Sequence, residues 1–343
     1  MKLIRTQDAA GQVLCHDITQ IIRGEKKGPV FRKGHVVREE DIPVLLSVGK
    51  DQLYIWEKEE GMLHENEAAE ILCRMCRNEH MERSEVKEGK IELTAACDGL
   101  LKINRPALKA VNAFGEMMIA TVHGDFPVKK GDKLAGTRII PLVIEEEKMK
   151  QAEKLADQPI LKLMPFLQKK VGIVTTGNEV YYGRIQDTFT PVIEDKLKEY
   201  GGEVCSHVVW NDDHTKITAS ILEMIEDGAD MVICTGGMSV DPDDKTPLAI
   251  KNTGARIVSY GAPVLPGAMF LLAYYEKDGK KVPVMGLPGC VMYAKRTIFD
   301  LVLPRVMADD EVTAESLAAL GEGGLCLSCP VCTFPNCGFG KGA

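Results

Sequence analysis

The chain has 343 residues, 45% of them hydrophobic, and its 42 Lys and Arg against 50 Asp and Glu give a formal net charge of −8. This is too much apolar material for a disordered chain and enough for two or three compact domains. The acidic balance disfavours phosphate backbones and anionic membrane surfaces, and no run approaches the roughly 18 apolar residues of a membrane span, so neither nucleic acid nor membrane is expected as a partner.

Residues 1–86 read as a mixed α+β region. Phe31 to Val37 has the character of a strand, Asp41 to Leu46 that of a turn and short helix, and in residues 65–77 Ala68, Leu72, Met75 and Cys76 fall on one face of a helix. Residues 87–146 change period and predict a small β-rich domain, with strands at Lys90 to Leu93, Met117 to Val122 and Arg138 to Ile144. Residues 147–170 carry charge and then Pro159 and Pro165, as a helix running into a linker does. The opening residues lack a charged segment followed by an apolar one, so a cytoplasmic location is expected, where 11 cysteines serve as thiols or metal ligands rather than disulfides.

Residues 171–307 alternate strand and helix. Val171 to Thr175 is a short apolar run; a helix over 191–200 opens near Pro191 and ends at Gly201-Gly202; a strand follows at 204–209. Ile217, Ile221 and Ile225 mark a second helix that Gly228 ends, ahead of Met231 to Cys234. The alternation predicts an α/β domain of three layers with a mostly parallel sheet, whose ligands bind at the carboxyl ends of the strands. Three loops lie there: Thr175-Thr176-Gly177-Asn178-Glu179, Thr235-Gly236-Gly237-Met238-Ser239 and Gly286-Leu287-Pro288-Gly289. Glycine lets backbone N–H groups approach an anion and Thr and Ser add hydroxyls, a set suited to a phosphate-bearing ligand. The run Asp241-Pro242-Asp243-Asp244 is dense enough in carboxylates to hold Mg2+ through one or two ligands, or simply to favour the dipole of the helix starting at Thr246-Pro247.

These motifs, in the order Ile173 to Glu179, Thr235 to Val240, Pro263-Val264-Leu265-Pro266-Gly267 and Gly286 to Gly289, resemble the molybdopterin-binding domain shared by molybdopterin adenylyltransferases and molybdenum insertases. The resemblance implies a pocket for the pterin and its phosphate lined by Thr175, Thr176, Gly177, Asn178, Thr235, Gly236, Gly237, Ser239, Pro266, Gly267, Gly286, Pro288 and Gly289. Asp244 and Glu179 match the family's acidic positions and are expected to handle Mg2+ or molybdate. It further implies molybdopterin or its adenylylated form and molybdate as ligands, molybdenum insertion with AMP release, a homodimer and an apo-molybdoenzyme as recipient. Three departures bear on turnover: Asn178 replaces an Asp, the family's Pro-Gly-Lys-Pro is here Pro266-Gly267-Ala268-Met269, and Gly-Leu-Pro-Gly is followed by Cys290-Val291-Met292-Tyr293. The last two, with the absence of the insertases' N-terminal P-x-F-D-N-S-A-M-D-G-Y-A signature, favour the alternative, a non-catalytic carrier, chaperone or sensor for a molybdoenzyme, while retained Glu179 and Asp244 favour the enzyme.

Residues 308–343 form a tail with Cys326, Cys329, Cys332 and Cys337 spaced C-x2-C-x2-C-x4-C, expected to hold an iron–sulfur cluster or Zn2+ that folds a segment too short for its own core. The remaining cysteines, among them Cys73, Cys76, Cys205 and Cys234, are expected to be buried thiols. His207 has no partner at ligand spacing.

Overall fold

The computed structural model describes residues 2–22, 26–55, 60–239 and 241–342. Two compact units emerge, one of Met1–Ala96, Ile103–Val122 and Gly131–Lys162, the other of Cys97–Lys102, His123–Lys130 and Leu163–Ala343.

In the first unit Lys2–Arg5 pairs antiparallel with Gln52–Ile55, and Ile18–Ile22 with Lys26–Phe31, around a small core that includes Leu14, Ile18, Leu45 and Leu53. The strand expected over Phe31 to Val37 stops at Phe31, because Gly34 turns the chain at φ +84°. Met81–Arg83, Lys90–Ala95, Lys133–Ile139 and Met117–Thr121 form a four-stranded sheet in that order. The helix Glu65–Cys76 buries Ala68, Leu72, Cys73 and Cys76, and its first turn is capped by the His64 ring and by Glu67 reaching back to the His64 N–H. A further helix, Arg105–Phe114, stands where only strands were expected. Its signals are local: Asn104 accepts from the Ala107 N–H, Pro106 opens the first turn and Gly115 closes the last. Pro141, which has no N–H to pair, separates the expected 138–144 strand into the end of Lys133–Ile139 and the start of Val143–Glu145.

In the second unit a six-stranded sheet runs in the order Gly202–Trp210, Lys169–Thr176, Met231–Thr235, Lys280–Leu287, Leu271–Lys277, Arg256–Tyr260. The first four strands are parallel, and Leu271–Lys277 runs antiparallel to both of its neighbours. The strand Leu271–Lys277 escaped the sequence reading; it returns into Lys280–Leu287 through Asp278-Gly279, both at positive φ, the tight hairpin turn that Asp-Gly favours. Strand Lys169–Thr176 is apolar on both faces. Val171 and Ile173 join one core with Ile193 and Leu197 of helix Phe189–Lys198 and Phe299 of helix Ile298–Met307. Val174 joins the other with Ile217, Ile221 and Ile225 of helix His214–Glu226 and Ile250 of helix Thr246–Asn252. The result is the three-layer, mostly parallel α/β arrangement. A second sheet has the order Phe126–Val128, Gly99–Ile103, Leu161–Pro165. The last of these replaces the expected linker, since Leu161 and Leu163 are buried at strand spacing with Lys162 exposed between them.

The tail does not depend on a metal for all its order: Val312, Leu317 and Phe339 belong to the larger core. Helices Phe189–Lys198 and Ile298–Met307 are also tied by a buried ion pair. Lys196 Nζ donates to Asp300 Oδ1, and Asp300 accepts in addition from the Arg296 guanidinium and, at 2.7 Å, the Thr297 N–H. Removing one member of such a pair strands the other in the interior. Asp300→Ala is therefore expected to lower unfolding free energy by about 3–5 kcal/mol in urea titrations, whereas Arg38→Ala, which breaks an exposed pair with Glu40, costs under about 1 kcal/mol.

Candidate functional site

Strand register brings the sequence motifs together. Thr175 lies opposite Thr235, and Thr235 opposite Leu287, so the loops opening at Gly177, Gly236 and Pro288 leave three adjacent parallel strands at one edge. Leu271 pairs with Gly286, which brings the segment just before it, with Pro266 and Gly267, to that edge as well. Thr175, Thr176 and Thr235 are buried, Asn178 is half-buried, and Glu179, Ser239 and Gly289 are exposed. Val240 lies outside the described residues.

The glycine pair of the central loop is fixed first by packing. Gly236 sits at φ +80°, and a Cβ there would run into the Thr176 carbonyl; at Gly237, φ +53°, a Cβ would come within 2.9 Å of Thr246 Oγ1. The Thr246 hydroxyl donates to Gly236 O and lies 2.9 Å from Thr176 Oγ1, stitching the two loops to the start of helix Thr246–Asn252. Thr246 is the first residue of that helix, which begins where the sequence predicts.

A polar cluster that the sequence reading missed backs the first loop. Thr175 Oγ1 donates to Asp187 Oδ2 (3.2 Å), lies 3.2 Å from Thr190 Oγ1 and 3.0 Å from His207 Nε2. Thr190 Oγ1 donates to Asp187 at 2.6 Å, and Asp187 Oδ1 accepts from the N–H groups of Phe189 and Thr190. Burial pushes the Asp187 carboxyl up, but these donors outweigh it and hold the group below the usual carboxylate range. Asp187, two residues before Phe189 and three before Thr190, carries the local signature of a helix-opening acceptor. His207 reaches the cluster only through strand pairing, which residue spacing along the chain does not reveal.

Across the edge the electrostatics are different. Asp212 follows the strand Gly202–Trp210, and burial raises its carboxyl; an Asn178 N–H opposes this, while Glu179, Asp244 and Asp243 push it further up. Tyr260 is raised by burial and by Asp244, and its hydroxyl donates to Met238 O at 3.0 Å. Four carboxylates thus share one field at the mouth of the loops. Two buried oxygens among the described residues have no hydrogen-bond partner, Thr235 Oγ1 and Asn211 Oδ1. Both stand at the carboxyl edge of the sheet, where an unpaired buried polar atom costs about 1–3 kcal/mol until a partner arrives.

The four tail cysteines are not gathered into a ligand cage. Cys326 and Cys337 are half-buried against the core, Cys329 and Cys332 are exposed, and among the described residues no three His, Cys, Asp or Glu side chains are arranged to hold a metal ion. One pair lies against the core and the other is exposed to water. Cys73, Cys76 and Cys234 are buried, whereas Cys205, on the edge strand of the sheet, is exposed. Among the described residues no helix is long and apolar enough to cross a membrane.

Comparison with known proteins now bears on the edge just described. Residues 172–308 match the model of a family described as "Probable molybdopterin binding domain". That segment is similar to this family. Residues 3–57 match a second model, a domain of unknown function. A CinA-like protein of Mycobacterium tuberculosis is 39% identical over 77 residues, 22% of this chain and 18% of that protein, so the chain spans about a fifth of the length of the relatives it matches. Among solved structures, the tungsten cofactor synthesizing protein MoaB of Pyrococcus furiosus is 20% identical with a TM-score of 0.32 over 41% of this chain and 89% of that one. The protein CinA with unknown function from Thermoplasma acidophilum is 20% identical, TM-score 0.32, over 40% and 98%.

A carboxyl raised in the folded state destabilises the fold once pH climbs past its unfolded value, because the native state gives up its proton at a higher pH than the unfolded chain. Asp212→Asn keeps an acceptor for the Asn178 N–H and removes the charge, so it is expected to raise the melting temperature at neutral pH. The gain should shrink as pH falls into the carboxylate range, which thermal melts between pH 4 and pH 8 will read (about the span over which such groups titrate).

Proposed function

We propose that the molybdopterin-binding-family domain binds molybdopterin or its adenylylated form at the carboxyl edge of its parallel sheet, and that the chain works in molybdenum-cofactor biosynthesis as a molybdenum insertase. The observation that carries this reading is the convergence of the Gly177, Gly236 and Pro288 loops on adjacent strands. Backbone N–H groups of the 236–239 loop would hold the terminal phosphate, and the unpaired hydroxyl of Thr235 offers a donor below it.

A phosphate beside Glu179, Asp212, Asp243 and Asp244 meets repulsion unless a cation intervenes. Mg2+ suits this setting, because it binds through one or two carboxylates and completes its shell with water and phosphate oxygens rather than requiring an all-protein cage. Asp244 and Glu179 are the residues we assign to it; bound there, Mg2+ would neutralise phosphate charge and polarise a phosphoryl oxygen. The residues themselves orient: Thr176 and Thr246 hold the two loops in register, and the Asp187 cluster fixes Thr175 and His207.

A second reading is favoured by a specific observation. Exposed Ala268 stands where insertases carry a lysine, and burial holds the Cys290 thiol in its neutral form above its ordinary value, against a weaker backbone hydrogen bond. A carrier or sensor of the cofactor needs no such cation.

The two readings separate on AMP release from adenylylated molybdopterin with Mg2+ and molybdate under anaerobic conditions. An insertase releases AMP in a molybdate-dependent way, and Asp244→Ala is expected to slow release at least about tenfold, the loss typical when a metal-supporting group is removed. Pterin binding without AMP release identifies the carrier. Thr235→Val tests the pocket itself through effects of opposite sign. Deleting an unpaired buried hydroxyl should stabilise the free protein by about 1 kcal/mol, while losing a hydrogen bond to the ligand weakens pterin affinity about tenfold. Unchanged pterin affinity in Thr235→Val would remove that hydroxyl from the site.

A further inference from the structure

The tail segment 326–337 is a loop pinned at both ends. Leu265 N donates to Gly324 O and Cys326 N to Leu265 O, each at 2.8 Å, so the tail pairs with the residue that precedes Pro266. At the other end Gly340 N donates to Gly323 O at 2.9 Å and Phe339 is buried in the core. Between these anchors the chain forms neither helix nor strand. Chain entropy of closing this loop is therefore already spent by hydrogen bonds that do not involve the cysteines.

All four cysteines line one cavity of about 650 Å³, which Pro266 and Arg296 also border. Cys326 and Cys337 face it from the core side and Cys329 and Cys332 from the solvent side. The same loop leaves Leu327 79% and Val331 75% exposed, an apolar surface that the present loop conformation does not cover. Two cations flank it: the Arg296 guanidinium lies 5.0 Å from the Phe334 ring centroid, and Lys295 Nζ donates to Pro330 O at 3.0 Å. Four thiolates around a metal carry net negative charge, and Lys295 supplies the opposite sign at the cavity wall, whereas Arg296 is already paired with Asp300 and Glu199.

We propose that Cys326, Cys329, Cys332 and Cys337 bind one thiophilic metal centre in this cavity, with the loop closing between its fixed ends. Each thiol loses its proton to solvent as its sulfur bonds the metal, and no sulfur is oxidised. The shared chemistry is four-thiolate ligation, which both Zn2+ and an iron–sulfur cluster accept; the C-x2-C-x2-C run is the spacing of cluster ligands, and the tetrahedral four-sulfur set is equally that of structural zinc. The inner pair and both anchors are already packed, so the exposed pair is the part of the loop freest to move on closure. The test reads metal content and cobalt absorption rather than pterin binding, so its failure is distinguishable from failure of the reading above.

The test uses the full-length chain purified anaerobically, with zinc, iron and acid-labile sulfide measured per chain, followed by Co2+ titration of the metal-free protein. Expected is either stoichiometric zinc or iron and sulfide in equal amounts, and on titration the sulfur-to-cobalt charge-transfer absorption of thiolate ligation. Cys329→Ser and Cys332→Ser are each expected to lower metal affinity at least about tenfold while leaving the urea midpoint of the metal-free protein unchanged, since both residues are exposed. Cys205→Ser, an exposed thiol elsewhere on the surface, should leave affinity as it was. Protein that holds no metal and gives no charge-transfer bands with Co2+, or affinity that survives both exposed-cysteine variants, overturns the proposal.

Discussion

The parallel register of Lys169–Thr176, Met231–Thr235 and Lys280–Leu287 is the constraint on which the rest of the second unit depends. Parallel strands need crossover connections, and these carry the helices that cover both faces. Because all three strands end within one residue pair of each other, the chain must turn at the same edge three times. Strands buried on both faces leave few polar atoms inside, so hydroxyls and carboxylates collect where the strands stop. The site is thus a by-product of the layering. A register slip would scatter Thr175, Thr235 and the Gly-Leu-Pro-Gly segment at once.

At that edge the same residue type is pushed in opposite directions. Asp187 receives two N–H groups and two hydroxyls, enough to keep it ionised despite partial burial. Asp212 has one N–H donor against three neighbouring carboxylates and is biased toward its proton. The first carboxylate is committed to structure, since every donor near it belongs to the protein. The second sits among like charges, a setting that an incoming cation would relieve.

The architecture was legible in the sequence where a signal is local. The isoleucines at 217, 221 and 225 marked a helix face, Gly228 its end, and short apolar runs ending in Thr-Gly or Thr-Gly-Gly marked parallel strands at their carboxyl ends. The hairpin strand Leu271–Lys277 was missed although Asp278-Gly279 announces it, because the strand on its far side reads like one more member of a strand–helix alternation. Helix Arg105–Phe114 was missed for a different reason: Ala107, Leu108, Val111 and Phe114 do fall at helical spacing, but the strand-like runs on either side set the reading of the whole segment. Of the site, the loops were visible and the groups that support them were not. Asp187, His207, Asp212 and Asn211 come from three separate stretches whose meeting is decided by sheet order, a property of pairing rather than of any window of sequence.

The tail shows how far spacing alone can be trusted. Four cysteines within twelve residues argue for a metal, and a segment that short argues that only the metal could fold it. The second step fails here, because Val312, Leu317 and Phe339 anchor the tail in the domain core and backbone hydrogen bonds tie it to Leu265. Order at the ends of the loop and exposure in its middle are then separate facts with separate causes. Packing accounts for the first. The second leaves two thiols and two large apolar side chains in water beside a cavity that two further thiols already line, and the residue pinned beneath that cavity is the immediate neighbour of Pro266 at the domain's ligand edge. Any ligand that closes the loop acts on a backbone shared with that edge.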